Sequence, residues 1–317
     1  MKDLRLITIT LAMMTFVACG PIQRTRQSED TPVRTPETEN LLINLKKVSA
    51  RGFMFGHHDD TNYGIGWEGD EGRSDVKSVC GDYPAVISFD LGHIELGDTM
   101  SLDKVPFTKI RKEILNQYKR GGMSSLSWHL RNPLTGGDSW DVSDTTVVKS
   151  ILPGGANHEK FTGWVSKVSA FINSLQTEEG VKVPVLFRPW HEHTGSWFWW
   201  GEKLCTPEEY KALWHITVDI LRNDGVDNAL YAYSPGSEPQ DTAQYLKRYP
   251  GDELIDLIGF DTYQFERDTY LANLEKSLAI VDSIGKVHNK VIAITETGYE
   301  GIPDPKWWTE TLLPGIG

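Results

Sequence analysis

The sequence has few cysteines, an excess of acidic over basic residues, and no long apolar run. Three of its 317 residues are cysteine and no Cys-x-x-Cys pair occurs, so a cysteine-based metal site is not expected. Its 32 basic residues are outnumbered by 44 acidic ones, which gives a formal charge of −12. That charge argues against nucleic acid or an anionic membrane surface as a partner. It is compatible with an uncharged ligand.

The amino terminus carries a short apolar stretch, LITITLAMMTFVA, preceded by Lys2 and Arg5. It is too short for a comfortable membrane span and is typical of an export signal. The stretch FVAC, which ends at Cys19, resembles a bacterial lipobox, where cleavage leaves a lipid-modified cysteine. We therefore predict a signal peptide over residues 1–18 and a lipidated Cys19, with a plain secretory signal as the alternative. The predicted location is the bacterial envelope, facing either the periplasm or the cell surface.

Residues 20–38 are polar and rich in proline and threonine, which predicts a flexible tether that starts at the lipidated Cys19. The main domain is then expected over residues 39–317. Within it, Cys80 and Cys205 are far apart in sequence, which leaves both a disulfide and two separate thiols open.

From residue 39 onwards, short apolar runs alternate with helical patterns. Each run is apolar over several residues, as expected of a strand buried on both faces, and then ends in His, Asp, Glu, Trp or Tyr. A leading helix is followed by seven predicted strands at 52–58, 84–95, 122–130, 183–192, 228–235, 254–263 and 290–298. Predicted helices lie between them at 104–120, 158–176, 206–223, 241–248 and 270–288.

Alternating strands and helices predict a parallel sheet with right-handed crossovers. A doubly wound open sheet is one solution, but no Gly-x-Gly-x-x-Gly loop follows the first predicted strand. Polar residues at the end of every strand favour a (β/α)8 barrel, the TIM barrel, whose active site gathers at that edge. Seven strands are predicted, so we expect the sequence to be truncated before the eighth strand.

Two carboxylates stand out by position, since Glu192 follows the fourth predicted strand and Glu296 follows the seventh. In a barrel these strand ends face one pocket, and two carboxyl groups across one bond are what glycoside hydrolysis requires. Glu192 lies beside Trp190 and Trp197, so desolvation is expected to raise its pKa. Arg188 is expected to keep Glu296 ionised. A solvated or ion-paired glutamate is the common alternative for either residue taken alone.

The segment RPWHEHTGSWFWWG (188–201) resembles the acid/base segment of glycoside hydrolase family 26, the β-mannanase family, and ITETG (294–298) resembles its nucleophile segment. SWHL (127–130) and GFDTY (259–263) are similar to that family's third- and sixth-strand motifs. The resemblance covers the chain from about residue 40 to its end. It implies a retaining enzyme without a cofactor, acting as a monomer on a polysaccharide.

The resemblance also implies roles for individual residues. Glu192 would be the acid/base and Glu296 the nucleophile. Contacts to the sugar, or support of the nucleophile, would come from His191, Trp197, His129, Tyr263, Arg188, Asp261 and Trp140. We expect cleavage of β-1,4-mannosidic bonds in mannan, glucomannan or galactomannan, either within the chain or with release of mannobiose. Relatives imply mixed-linkage β-glucan or β-1,3-xylan as alternative substrates.

Two further functions stay open at this stage. The first is a metal-dependent barrel hydrolase, because HHDD (57–60) ends the first predicted strand and His191 and His193 flank Glu192. The second is a carbohydrate-binding lipoprotein without catalysis, since the eleven tryptophans offer stacking faces for sugar rings. A tryptophan-rich core explains the same count. The presence of both carboxylates favours the two-carboxylate hydrolase.

Overall fold

The computed structural model describes residues 34–265 and 267–317. The predicted signal peptide, Cys19 and most of the predicted tether lie outside these residues. The first helix, α1, spans Pro36–Ser49 and so begins within the segment predicted as tether. Its start is set by Thr35, whose hydroxyl accepts a hydrogen bond from the backbone N–H of Thr38, and by the proline in its first turn.

A seven-stranded parallel sheet forms the centre of the molecule, with the strands in chain order. This is the order of consecutive strands in a (β/α)8 barrel, and it confirms the predicted fold class. The strands are Gly56–His58 (β1), Val86–Asp90 (β2), Met123–Ser127 (β3), Val185–Arg188 (β4), Ala229–Tyr233 (β5), Leu257–Tyr263 (β6) and Val291–Gly298 (β7). All seven lie within the predicted strand segments.

Helices follow the strands and cover the outside of the sheet, as the alternating pattern predicts. After α1 they are Asp75–Cys80 (α2), Phe107–Lys119 (α3), Val147–Ile151 (α4), His158–Asn173 (α5), Pro207–Asn223 (α6), Thr242–Leu246 (α7), Arg267–His288 (α8) and Leu313–Gly315 (α9). The short helices α2 and α4 were not predicted from sequence. Shorter pieces are a 3₁₀ turn at Ile94–Leu96, a π-helical turn at Trp307–Leu312 and a small hairpin of Tyr63–Gly64 with Trp67–Glu68.

Alternate residues along the strands belong to two different hydrophobic clusters, as the side-chain period of a strand requires. In β4, Val185 and Phe187 belong to the large cluster that includes residues of the outer helices. Leu186, between them, belongs to a second cluster with Leu45 of α1. That second cluster also contains Met123 and Leu257, the first residues of β3 and β6. Helix α1 therefore packs against the amino-terminal end of the sheet and leaves the opposite end to the polar residues.

The segment after β7 packs back onto the sheet through its tryptophans. Trp307 is buried, and its indole N–H donates to Gln264 Oε1 at 2.6 Å. The ring of Trp308 meets Phe55 edge-on, with 5.7 Å between the ring centroids. Within residues 34–265 and 267–317, no helix combines the length and the apolar character needed to cross a membrane.

Candidate active site

Arg188, the last residue of β4, connects the carboxyl ends of three strands. Its Nη1 donates to Asp261 Oδ2 on β6 at 2.9 Å and to Ser234 Oγ, just after β5, also at 2.9 Å. Its Nη2 donates to Glu296 Oε1 on β7. A register shift between Phe260 and Asp261 pairs Asp261 with Glu296 across the two strands. Both carboxylates are thereby brought to one guanidinium.

Burial and the arginine affect these two carboxyl groups unequally. Burial alone would raise the pKa of Glu296, but the positive charge of Arg188 outweighs it and holds this pKa well below its usual range. The hydroxyl of Tyr263 donates to Glu296 Oε2 at 2.6 Å and acts in the same direction. Asp261 is fully buried, and burial keeps its pKa well above the ordinary value despite Arg188. Arg188 and Tyr263 therefore keep Glu296 ionised near neutral pH.

A tight turn after β4 aims Glu192 at the same edge of the sheet. Two residues of this turn, Trp190 and Glu192, have left-handed backbone angles, with φ of 59° and 53°. Backbone hydrogen bonds fix the turn, because Glu192 N donates to Ser234 O at 2.8 Å and Trp200 Nε1 donates to His191 O at 2.8 Å. The direction of the Glu192 side chain is therefore set by the backbone around it.

Trp197 lies directly against the Glu192 carboxylate. Its indole N–H donates to Glu192 Oε2 at 2.7 Å. The ring packs so closely on Gly195 that a Cβ atom at that position would overlap it, which explains the glycine. Burial, followed by the charge of Glu296, raises the pKa of Glu192 to about 7, against the opposing effects of the Trp197 N–H and Arg188.

The distance between the two glutamates indicates the chemistry that they can perform. Oxygen atoms of Glu192, Asp261 and Glu296 lie within 4.8 Å of one another. Carboxyl groups about 5–5.5 Å apart act as nucleophile and acid/base in retaining glycosidases, whereas inverting enzymes need about 6.5–9.5 Å to admit a water molecule. One of the two is held ionised and the other has a pKa near neutrality, which is the division of roles that this reaction requires.

His129 and His191 lie at the same edge and contact each other, and His129 also contacts Asp90, the last residue of β2. Asp90 Oδ2 lies 2.7 Å from His129 Nδ1, and His129 Nε2 lies 3.0 Å from His191 Nε2. Burial lowers the pKa of His129, but the Asp90 carboxylate outweighs it and raises that pKa. Burial and the charge of Arg188 keep the pKa of His191 far below 6.5. The two Nε2 atoms are therefore within hydrogen-bonding distance, and His129 is the more basic of the two rings.

The aromatic residues divide into exposed faces and core. Trp140 is 50% exposed and its ring is stacked on His129, with 5.5 Å between the centroids. Trp197 and Tyr263 are each 40% exposed. The three aromatics that follow Trp197, by contrast, are buried in the main core: Phe198, Trp199 and Trp200. The aromatic residues therefore divide between core positions and exposed ring faces that are available to a ligand.

The two histidine motifs of the metal-hydrolase alternative do not come together. The ring of His193 is buried between those of Tyr210 and Tyr233, at 4.3 and 4.9 Å between centroids. In the described part of the chain, it belongs to neither group of side chains that could share a metal ion. One of these groups consists of Glu192, Asp261 and Glu296. There the guanidinium of Arg188 already supplies the positive charge that a metal ion would bring. Cys80 is exposed and Cys205 buried, and neither forms a disulfide.

Three residues of this site were not predicted from the sequence: Asp90, Ser234 and Thr295. Asp90 ends an apolar strand in a polar residue, which is the signal that identified the other strand ends. Ser234 follows β5 and bonds to Arg188, while Thr295 donates to Asp261 Oδ1 at 2.5 Å. A serine or threonine at a strand end is too common in sequences to identify a site residue on its own.

Comparisons with known proteins agree with this geometry. The sequence model of glycosyl hydrolase family 26 matches residues 31–310. A solved structure of a GH26 β-mannanase from Bacteroides ovatus is 63% identical, with a TM-score of 0.88, over 89% of this chain and 82% of that one. A mannan endo-1,4-β-mannosidase of Bifidobacterium adolescentis is 34% identical over 279 residues, which are 84% of this chain.

The chain is shorter than some of these curated relatives. It spans 27% of the length of the Bifidobacterium protein. It spans 60% of a mannan endo-1,4-β-mannosidase of Bacillus subtilis strain 168, to which it is 27% identical over 70% of its own length.

Proposed function

Because the chain belongs to glycosyl hydrolase family 26, we propose that it is a retaining glycoside hydrolase that cleaves β-1,4-mannosidic bonds. The observation that carries this proposal is the pair formed by Glu192 and Glu296, with carboxylate oxygens within 4.8 Å and pKa values moved in opposite directions. The substrate class is supported by the relatives described above. Mannan, glucomannan and galactomannan all contain this bond.

The proposed reaction is a double displacement. In the first step, ionised Glu296 attacks the anomeric carbon, the glycosidic C–O bond breaks, and Glu192 gives its proton to the departing oxygen. In the second step, a water molecule attacks the same carbon, Glu192 takes a proton from that water, and the bond to Glu296 breaks. Each carboxyl group ends the cycle in the protonation state in which it began.

The remaining site residues have supporting roles in this proposal. Arg188 and Tyr263 orient Glu296 through the hydrogen bonds that they donate to its two oxygens. Asp261 holds Arg188 from the other side. Trp197 both contacts the Glu192 carboxylate and offers an exposed ring face to the sugar on the leaving side. The other sugar contacts are assigned to three rings at the same edge: His191, His129 and Trp140.

The proposal is tested by following product formation on mannan, glucomannan, lichenan and β-1,3-xylan. The protein starts at residue 20, and Glu192→Ala and Glu296→Ala are compared with Glu202→Ala, an exposed glutamate of the same segment. We expect manno-oligosaccharides from the wild type and Glu202→Ala, and almost none from the other two. Proton NMR of the first product is expected to show the β-anomer, and product sizes distinguish cleavage within chains from release of mannobiose.

The alternative functions predict other results. Activity on lichenan or β-1,3-xylan alone would keep the mechanism and change the substrate. Binding of mannan without hydrolysis would identify a binding protein. Full activity of Glu296→Ala that a chelator abolishes would replace the two-carboxylate mechanism with metal chemistry.

We also propose that the enzyme is exported and anchored by a lipid on Cys19, acting as a monomer. The lipobox-like stretch at residues 16–19 supports the anchor. Cells that express the full chain should incorporate an alkyne-labelled fatty acid into it, and Cys19→Ala should abolish the label and release the protein from the membrane fraction. Cleavage by an external protease in intact cells would place it on the surface, and protection would place it in the periplasm.

A further inference from the structure

A second group of charged side chains lies at the carboxyl end of β1, and none of them belongs to the candidate active site. His58 is the last residue of β1, Asp59 follows it, and Asp103 lies in the segment between β2 and α3. One nitrogen or oxygen atom of each lies within 4.8 Å of the others. We call these three residues the β1 cluster. They include half of the HHDD motif, for which the proposed reaction has no use.

The histidine ring is held in a fixed orientation toward the two carboxylates. Its Nδ1 lies 2.8 Å from Ser88 Oγ on the neighbouring strand β2. Its other nitrogen, Nε2, lies 3.3 Å from Asp59 Oδ2 and 3.9 Å from Asp103 Oδ2. Metal-binding histidines are commonly oriented in this way, with a polar partner on the second ring nitrogen.

Asp59 carries a buried oxygen that accepts no hydrogen bond. The residue is fully buried, and its Oδ1 accepts a hydrogen bond from Asn62 Nδ2 at 2.6 Å, whereas Oδ2 has no donor in bonding geometry. Buried oxygens without a donor also occur in each of the next three residues: Asp60, Thr61 and Asn62. A buried, unsatisfied carboxylate oxygen costs free energy, and a bound cation would remove that cost.

The backbone supports the same conclusion. Asp59 has a φ of 49°, in the left-handed region that few non-glycine residues adopt. Such conformations persist where the surrounding structure holds them and are frequent at ligand sites.

We propose that His58, Asp59 and Asp103 bind one divalent cation with a preference for zinc or manganese. Two carboxylates and a neutral imidazole carry a charge of −2, which matches such an ion. A nitrogen ligand among oxygen ligands favours zinc or manganese over magnesium and calcium, which prefer oxygen alone. The site is structural, since the ion would tie the end of β1 to the segment before α3 and takes no part in bond cleavage.

Calorimetric titration of the chelator-treated protein with ZnCl₂, MnCl₂ or CaCl₂ tests the site. The variants are His58→Ala and Asp103→Asn, with His57→Ala as the matched control, because His57 and His58 have similarly exposed side chains (41% and 44%). His57 Nδ1 lies against the backbone oxygen of His58, outside the cluster.

We expect one zinc or manganese ion per chain and a higher melting temperature on binding. His58→Ala and Asp103→Asn should each weaken binding by about tenfold or more, and His57→Ala should leave it unchanged. Mannan hydrolysis at 25 °C should be the same with and without the ion. Equal affinity in the wild type and His58→Ala, or no ion bound, would overturn the proposal. The proposal would also be overturned if His58→Ala and Asp103→Asn bound the ion as the wild type does but had a raised KM for manno-oligosaccharides. That result would make the cluster a sugar contact.

Discussion

Burial and the charge of Glu296 raise the pKa of Glu192, and the hydrogen bond from Trp197 lowers it. The balance between them sets the pH range of the proposed reaction. The first step needs Glu192 protonated and Glu296 ionised. The pKa of Glu192 is raised to about 7, and that of Glu296 lies well below its usual range. We expect kcat/KM to be level on the acid side and to fall by about tenfold per pH unit above the Glu192 pKa.

Trp197→Phe tests this assignment at a single hydrogen bond. The indole N–H at 2.7 Å stabilises the ionised form of Glu192, so removing it should raise the Glu192 pKa further and move the alkaline limb of kcat/KM to higher pH. Trp140→Phe serves as the control, because it replaces an indole that has no hydrogen bond to Glu192. It should leave the alkaline limb of kcat/KM at the same pH. An alkaline limb that stays fixed or moves to lower pH in Trp197→Phe would show that another group titrates there.

At the ends of β2 and β3, the Asp90 carboxylate raises the pKa of His129. Replacing it by asparagine keeps the shape and removes the charge, so the pKa of His129 should fall. The ring would lose its positive charge, and kcat/KM should fall by about tenfold, as expected for a hydrogen bond to a charged group. Nitrogen NMR of the His129 ring gives its protonation state directly.

Ser127→Ala is the matched control for Asp90→Asn. Ser127 Oγ donates to Asp90 Oδ2 at 2.7 Å, so this variant removes one hydrogen bond and keeps the carboxylate. His129 should stay protonated in it. If Asp90→Asn changed activity with the His129 spectrum unaltered, Asp90 would act through the fold and not through the proton.

The guanidinium of Arg188 joins β4 to both β6 and β7. Arg188→Met would leave two carboxylates, Asp261 and Glu296, without their cation in a buried site, at a cost of about 3–5 kcal/mol of unfolding free energy. Urea denaturation at pH 7 measures this loss. Adding Asp261→Asn to Arg188→Met should restore part of it, because one of the two unpaired groups disappears.

Lys112→Met is the comparison for that variant. Lys112 and Glu71 form a 2.6 Å ion pair, but both side chains are largely exposed, so no measurable change in the unfolding midpoint is expected. Equal effects of Lys112→Met and Arg188→Met would mean that burial of the Arg188 network does not matter for stability.

Across the whole molecule, the hydrophobic cluster around Leu45 lies at the end of the sheet opposite the candidate active site. Leu45 of α1 packs against residues of β3 to β7 at the amino-terminal end of the sheet. Leu45→Ala should lower the free energy of unfolding by about 2–5 kcal/mol while kcat at 25 °C stays the same. Ile43→Ala, on an exposed position of the same helix, should change stability little. A loss of kcat in folded Leu45→Ala would show that the two ends are coupled.

The sequence predicts the strands and their order because a buried parallel strand needs a continuous apolar run, and each run ends in a polar residue. That rule placed Glu192, Arg188, Asp261 and Glu296 at one edge. It could not separate Trp197 from Trp199 and Trp200, because neighbouring residues of one type differ in exposure only through the turn that folds them. The chain of contacts from Asp90 through His129 to His191 depends on the positions of one carboxylate and two rings across strands, which no local pattern encodes.

The left-handed backbone at Glu192 has a consequence for engineering. Two other carboxylates lie within 4.8 Å of Glu192, and its backbone angle is one that asparagine or glycine adopts more readily. We therefore expect Glu192→Asn to melt at a higher temperature than the wild type, which thermal denaturation of the two proteins measures. Under the proposed function, such an inactive variant would serve as a durable reagent that captures mannan without cleaving it.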